Sequence, residues 1–159
     1  MIMDSIDIVL IDRLQSHGRE SWARLGALTG MTGPAAAERV RRLEDDGVIR
    51  GFTAVVNPEA LGLTVTAFVS LTLEGAEHRA DFIARVLALP EVQECHHVTG
   101  DHDYLLKLRC RSTLDLDRLL SRDLKGVAGV TRTRTTIALS TAKESMAVPL
   151  PVLPKGDHE

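Results

Sequence analysis

Residues 64–73, TVTAFVSLTL, decide how the larger half of the chain folds. Val65, Ala67, Val69, Leu71 and Leu73 occupy every second position, with Thr64, Thr66, Phe68, Ser70 and Thr72 between them. A period of two is that of a β-strand, so one side of this strand is wholly apolar and needs cover. Gly75 stops it, and the period then changes. Phe82, Ile83, Val86, Leu87 and Leu89 mark a helix over about 79–89, which Pro90 ends. A second strand is predicted over 92–99, followed by the tight connection Gly100-Asp101-His102. Tyr104, Leu106, Leu108 and Cys110 then alternate with Leu105, Lys107, Arg109 and Arg111 in a third strand. Leu114, Leu116, Leu119, Leu120 and Leu124 mark a helix closed by Gly126, before a last strand over 130–139. Strand-helix-strand occurs twice, the order of a ferredoxin-like βαββαβ sandwich. Two helices cover one face of four strands; the other face, with Phe68, is predicted to need a second copy of the chain.

Upstream the periodicity is helical. Ile6, Val9, Leu10 and Leu14 form one stripe behind an Asp4 N-cap, on a helix ending near Gly18. Ser21 caps a short second helix on which Trp22, Leu25 and Leu28 share a face, and Gly30 closes it. Thr32 caps a third, with Pro34 in the first turn where its missing N–H is harmless. Ala36, Ala37, Val40 and Leu43 mark its buried side, Arg39, Arg41 and Arg42 project elsewhere, and Gly47 ends it before a strand-like stretch from Val48 to Val56. Three short helices and a hairpin predict a winged helix-turn-helix. The α+β chain therefore divides into a winged helix-turn-helix over 1–56, a hinge over 57–63 punctuated by Asn57-Pro58 and Gly62, a βαββαβ domain over 64–142, and a tail over 143–159. From Ala147 the tail, with Pro149, Pro151 and Pro154, reads as extended or loose.

Composition narrows the function classes. Of 159 residues, 44% are hydrophobic and 26% charged, a globular balance, but only 3% are aromatic. Aliphatic side chains must build the cores, and base-stacking recognition of RNA is disfavoured. No apolar run is long enough to cross a bilayer, and the start MIMDSIDIVL carries acids where a signal peptide carries basic residues, so a cytoplasmic protein is expected. The net charge of −3 means that any grip on nucleic acid must come from a local basic patch. Cys95 and Cys110 lie in predicted strands without a CxxC spacing and read as buried free thiols.

Three phrases on this architecture, ERVRRLEDDGVIRGF at 38–52, ALPEVQECHHVTGDHDYLLKLR at 88–109 and GVTRTRT at 129–135, resemble the Lrp/AsnC regulators. The resemblance spans about residues 4–150. It implies transcription regulation of amino-acid metabolism, a βαββαβ domain of the RAM type, homodimers that join into octamers, double-stranded DNA as partner and an amino acid as effector.

The candidate DNA-binding residues are Thr32, Gly33, Pro34, Ala35, Arg39, Arg41 and Arg42. The Thr32 hydroxyl and first-turn N–H groups can meet a phosphate at the positive helix end, and the arginines add ionic contacts. Gly33, Pro34, Ala35 and Ala36 depart from the small polar and bulkier apolar residues usual in the family. Specificity is therefore expected to lean on DNA shape, on the arginines and on paired half-sites. The other reading of Arg41 and Arg42 is a solvated face balanced by Glu44, Asp45 and Asp46.

The resemblance puts the effector pocket at Val98, Thr99, Gly100, Asp101, His102, Asp103 and Tyr104, with the neighbouring strand of an adjacent subunit. A zwitterionic amino acid needs a carboxylate at one end, from Asp101 or Asp103, and donors at the other, from Thr133, Thr135 and Thr136. Gly-Asp-x-Asp is also good turn chemistry. Cys95, His96, His97 and His102 invite a metal assignment. Strand alternation lets only Cys95 and His97 of the adjacent three share a face, so no metal or cofactor is expected. Two alternatives stay open: a sirohaem-decarboxylase-like enzyme of the same architecture, which would use the histidines, and a metabolite-binding oligomer without DNA affinity. A catalytic site is not expected.

Overall fold

A computed structural model describes residues 3–151; Pro154 of the tail lies outside the described residues. Contacts divide them into two units, one running up to Val55 and rejoined by the chain from Glu144, the other Val56–Lys143.

In the first unit, α1 (Ser5–Ser16), α2 (Trp22–Thr29) and α3 (Gly33–Asp45) begin at the caps read from the sequence. Asp4 accepts from the Asp7 N–H at 3.0 Å while Asp7 accepts from the Asp4 N–H at 3.1 Å, a reciprocal capping box. Ser21 and Thr32 cap α2 and α3, and Gly30 ends α2 at φ 70°. Leu10, Leu14, Leu25, Ala36 and Val40 form the core, with Ile6, Met31 and Ile49 packed against it. Trp22 and Leu28, expected beside Leu25, are instead largely exposed. The α2–α3 turn depends on Gly26, where an added Cβ would lie 2.6 Å from the Met31 carbonyl oxygen.

The wing is not formed as expected. Residues 50–56 form no strand and pair with none among the described residues, and Val55 is 91% exposed. The tail is extended, as expected, but tied down: Gln15 donates through Nε2 to the Val148 carbonyl at 3.2 Å and accepts the Val148 N–H at 2.6 Å.

The second unit holds β1 (Val65–Leu73), α4 (Arg79–Leu87), β2 (Val92–His97), β3 (Tyr104–Cys110), α5 (Thr113–Arg118) with a π-helical turn at Leu119–Leu124, and β4 (Val130–Ile137). The antiparallel sheet has the order β2-β3-β1-β4. Ala67, Val69 and Leu71 of β1 and Tyr104, Leu106 and Leu108 of β3 are buried with Phe82, Val86, Leu116, Leu119 and Leu124. Cross-strand pairs share a face, so Phe68 lies on the opposite side with its partners Lys107 and Thr136. Ser70 and Thr72 pair there with Arg134 and Arg132, so that face is more polar and cationic than apolar.

Gly26→Ala forces a Cβ into the Met31 backbone and is expected to cost about 1–3 kcal/mol, as overpacking does. Thermal unfolding followed by circular dichroism checks it; an unchanged midpoint would show that the turn relaxes freely.

Candidate DNA-binding and effector sites

The exposed side of α3 carries Pro34, Ala35, Glu38, Arg41 and Arg42, a stripe at helical spacing. Thr32 accepts from the Ala35 N–H at 3.3 Å, which leaves its hydroxyl proton to donate at the positive helix end. Gly33 lies close against α2; a Cβ there would stand 3.3 Å from the Ala23 nitrogen. Its smallness thus serves the α2–α3 contact. Arg41 pairs with Glu38, and Arg42 has no side-chain partner among the described residues.

Arg39 is the correction. Its Nε donates to Asp7 Oδ1 at 2.7 Å and its Nη2 pairs with Asp4, so the guanidinium joins α3 to the cap of α1 and does not face outward. The side chain of Asp7 is 4% exposed and needs that cation. The Asp4 carboxyl is held below its ordinary range, first by the Asp7 N–H and then by Arg39. Glu38 was not singled out from the sequence, although its place one turn before Arg42 puts an acceptor in the middle of the exposed stripe.

At the other candidate site, residues 98–103 close the β2–β3 hairpin. Val98 N–H donates to the Asp103 carbonyl at 2.8 Å, Asp103 N–H donates to the Leu71 carbonyl at 3.0 Å, and Leu73 N–H donates to Asp103 Oδ2 at 2.8 Å. Asp103 therefore fastens the hairpin to β1. Asp101 is exposed and has no side-chain partner among the described residues, and Gly100 takes φ 112°, a conformation that favours glycine. Tyr104 is 2% exposed, its ring 4.7 Å from Phe82 and 5.1 Å from His97. Its hydroxyl and His102 Nδ1 are both buried without a hydrogen-bond partner among the described residues.

Register brings some of the expected donors together and separates others. His97, Tyr104, Leu71 and Thr133 form one transverse row on the helix-covered face, and Thr135 lies one row away on that same face. Thr136 pairs with Phe68 and points to the opposite face, so it does not join them. Cys95 shares the face of His97, while His96 faces away and lies 3.2 Å from Glu94. Burial raises the pKa of both thiols, and Glu91 and Asp115 raise that of Cys110 further.

Two family models match in the order of these sites: the AsnC-type helix-turn-helix domain over 3–44 and the Lrp/AsnC ligand binding domain over 66–148. The chain belongs to the Lrp/AsnC family. It is 41% identical to the leucine-responsive regulatory protein of Salmonella typhimurium, over 90% of this chain and 88% of that one. It is 35% identical to the HTH-type transcriptional regulator FL11 of Pyrococcus furiosus, over 94% and 97% respectively. A transcriptional regulator of Neisseria meningitidis, solved with L-methionine, superposes with a TM-score of 0.89 at 28% identity, covering 93% of this chain and 97% of that one. The Lrp/AsnC relatives are thus named as regulators, and among the described residues no helix is long and apolar enough to cross a membrane.

The two groups of α3 arginines are expected to behave differently. Arg39→Ala strands Asp7 and should cost roughly 3–5 kcal/mol in unfolding experiments, the usual result of halving a buried pair. Because the Asp4 pKa is depressed, its contribution is full above the ordinary aspartate range and is lost as pH falls through the lowered value. In Arg39→Ala that acid limb should become shallower without disappearing, because the Asp7 N–H, the larger cause, remains; an identical pH–stability profile would contradict the pairing.

Proposed function

We propose that this chain is a sequence-specific DNA-binding transcription regulator whose grip responds to a small effector, an amino acid, held at the 98–104 hairpin. The observation that carries the effector reading is that Tyr104 Oη and His102 Nδ1 are buried and, among the described residues, unpartnered, in a hairpin segment that also holds the exposed carboxylate of Asp101. Buried polar groups are ordinarily satisfied, and a ligand that supplies the missing bonds gains their energy. Asp101 meets an ammonium; the Tyr104 hydroxyl and Thr133, in one row, meet a carboxylate. Asp103, occupied by the Leu73 N–H, supports the loop and leaves the ammonium to Asp101.

On DNA, the first turn of α3 approaches a phosphate through Thr32 and its neighbouring N–H groups, and Arg41 and Arg42 contact the backbone. Glu38 is positioned to accept from cytosine N4. The protein works in the cytoplasm as a homodimer that assembles further, and a ligand favouring one assembly shifts its DNA affinity. It acts by binding and not by catalysis, a reading supported by His96 and His97, which point to opposite faces of β2 and so do not meet on one substrate.

An amino-acid screen by thermal shift should find a ligand that raises the melting point. Tyr104→Phe, which keeps the ring, should weaken that ligand by about 1 kcal/mol, roughly fivefold, and Asp101→Asn by more; no shift with any amino acid would remove the effector assignment. In mobility-shift titrations, Arg41→Ala with Arg42→Ala should weaken binding to every sequence and lower the log–log salt slope by about 0.9 per lost phosphate contact. An unchanged slope would return both arginines to a solvated face.

A further inference from the structure

The end of the β2–β3 hairpin remote from residues 98–103 carries a different feature. There Val92 pairs with Leu108, whereas His97 pairs with Tyr104 at the loop end. The end of α4, the start of β2, the end of β3 and the α5 region enclose a cleft of about 680 Å³, within the ordinary range for small-molecule sites. Five arginines and three carboxylates line it, in a chain whose net charge is −3.

Two carboxylates, Asp123 and Asp115, hold part of this set. The Asp123 side chain, 8% exposed, pairs with Arg85 and lies 3.5 Å from Arg122 Nε. Ser112 caps α5 through the Asp115 N–H at 3.1 Å, and Asp115 in turn lies 3.4 Å from Arg118. Arg111 is exposed and has no side-chain partner among the described residues. Leu89 and Pro90 add an apolar wall. A guanidinium fork fits a phosphate bidentately, and the charge of about −1.5 to −2 on a phosphate monoester at neutral pH can be met by Arg111 and Arg118; Arg109 donates to Thr66 Oγ1 at 3.0 Å on the opposite face of the sheet and is not counted with them.

We propose that this cleft binds a small phosphorylated metabolite, its phosphate held by Arg111 and Arg118 and its apolar or ring portion against Leu89 and Pro90. The site is separate from the amino-acid loop and does not depend on that assignment.

Phenyl phosphate is a suitable probe because it joins one phosphate monoester to one ring. Calorimetric titration of the full chain at fixed ionic strength should give saturable binding, retained in an R41Q/R42Q variant and weakened at least tenfold in R111Q/R118Q; phenol should not bind. Saturable binding that survives R111Q/R118Q, disappears with R41Q/R42Q, or is absent from the wild type overturns the assignment, as does equal binding of phenol. If R111Q/R118Q does not fold, amide shifts of the wild type read the same question. Perturbation at Leu89, Gln93 and Leu119 supports the cleft, and perturbation confined to residues 32–42 contradicts it.

Discussion

The antiparallel pairing of β1 with β3 fixes the larger unit. Its register, Leu71 opposite Tyr104 and Ala67 opposite Leu108, puts the apolar members of both strands beneath the helices. A slip by one residue would send Thr66, Phe68 and Ser70 into the core and expose Ala67, Val69 and Leu71. Asp103 opposes such a slip with bonds to both Leu71 and Leu73. Because β2 hangs on β3, the same register also sets what each end of the β2–β3 hairpin offers. One end has Asp101, His102 and Tyr104; the other has the arginine-lined cleft.

A comparable constraint organises the smaller unit. Asp7 completes the capping box of α1 and receives Arg39 of α3, so one buried carboxylate joins a helix start to its neighbour. This leaves the exposed stripe of α3 with fewer cations than the run ERVRRLED suggests. Glu38 partly neutralises Arg41, and Arg42 stands free among the described residues. Under the proposed function, such a surface gives a modest backbone grip, which pairing of half-sites on self-association would complete.

Much of the fold was legible because its signals are local. The caps at Asp4, Ser21 and Thr32, the left-handed Gly30, and the alternation over 65–73 all concern neighbours in sequence. What escaped depends on contacts between distant residues. Arg39 looks like its neighbours Arg41 and Arg42 until the packing of α3 on α1 brings Asp7 to it. Gly26 reads as an ordinary helix residue until the turn approaches it. The stretch 48–56 has strand composition, but a strand also needs a partner, and composition does not supply one. Thr135 and Thr136 are adjacent in sequence, yet the pleat sends them to opposite faces, so only the first joins the side of the sheet that holds Tyr104.

The proposed sensing rests on a zwitterion that completes the bonds of two atoms buried and unpaired among the described residues, His102 Nδ1 and Tyr104 Oη. Hydrogen–deuterium exchange on the full chain, with and without a saturating concentration of the amino acid that raises its melting point most, tests this most directly. The account predicts slowed exchange at residues 98–104 and at 133–135, with residues 111–122 unchanged. Protection confined to residues 85–93 and 109–122, or no protection with that amino acid, would contradict it.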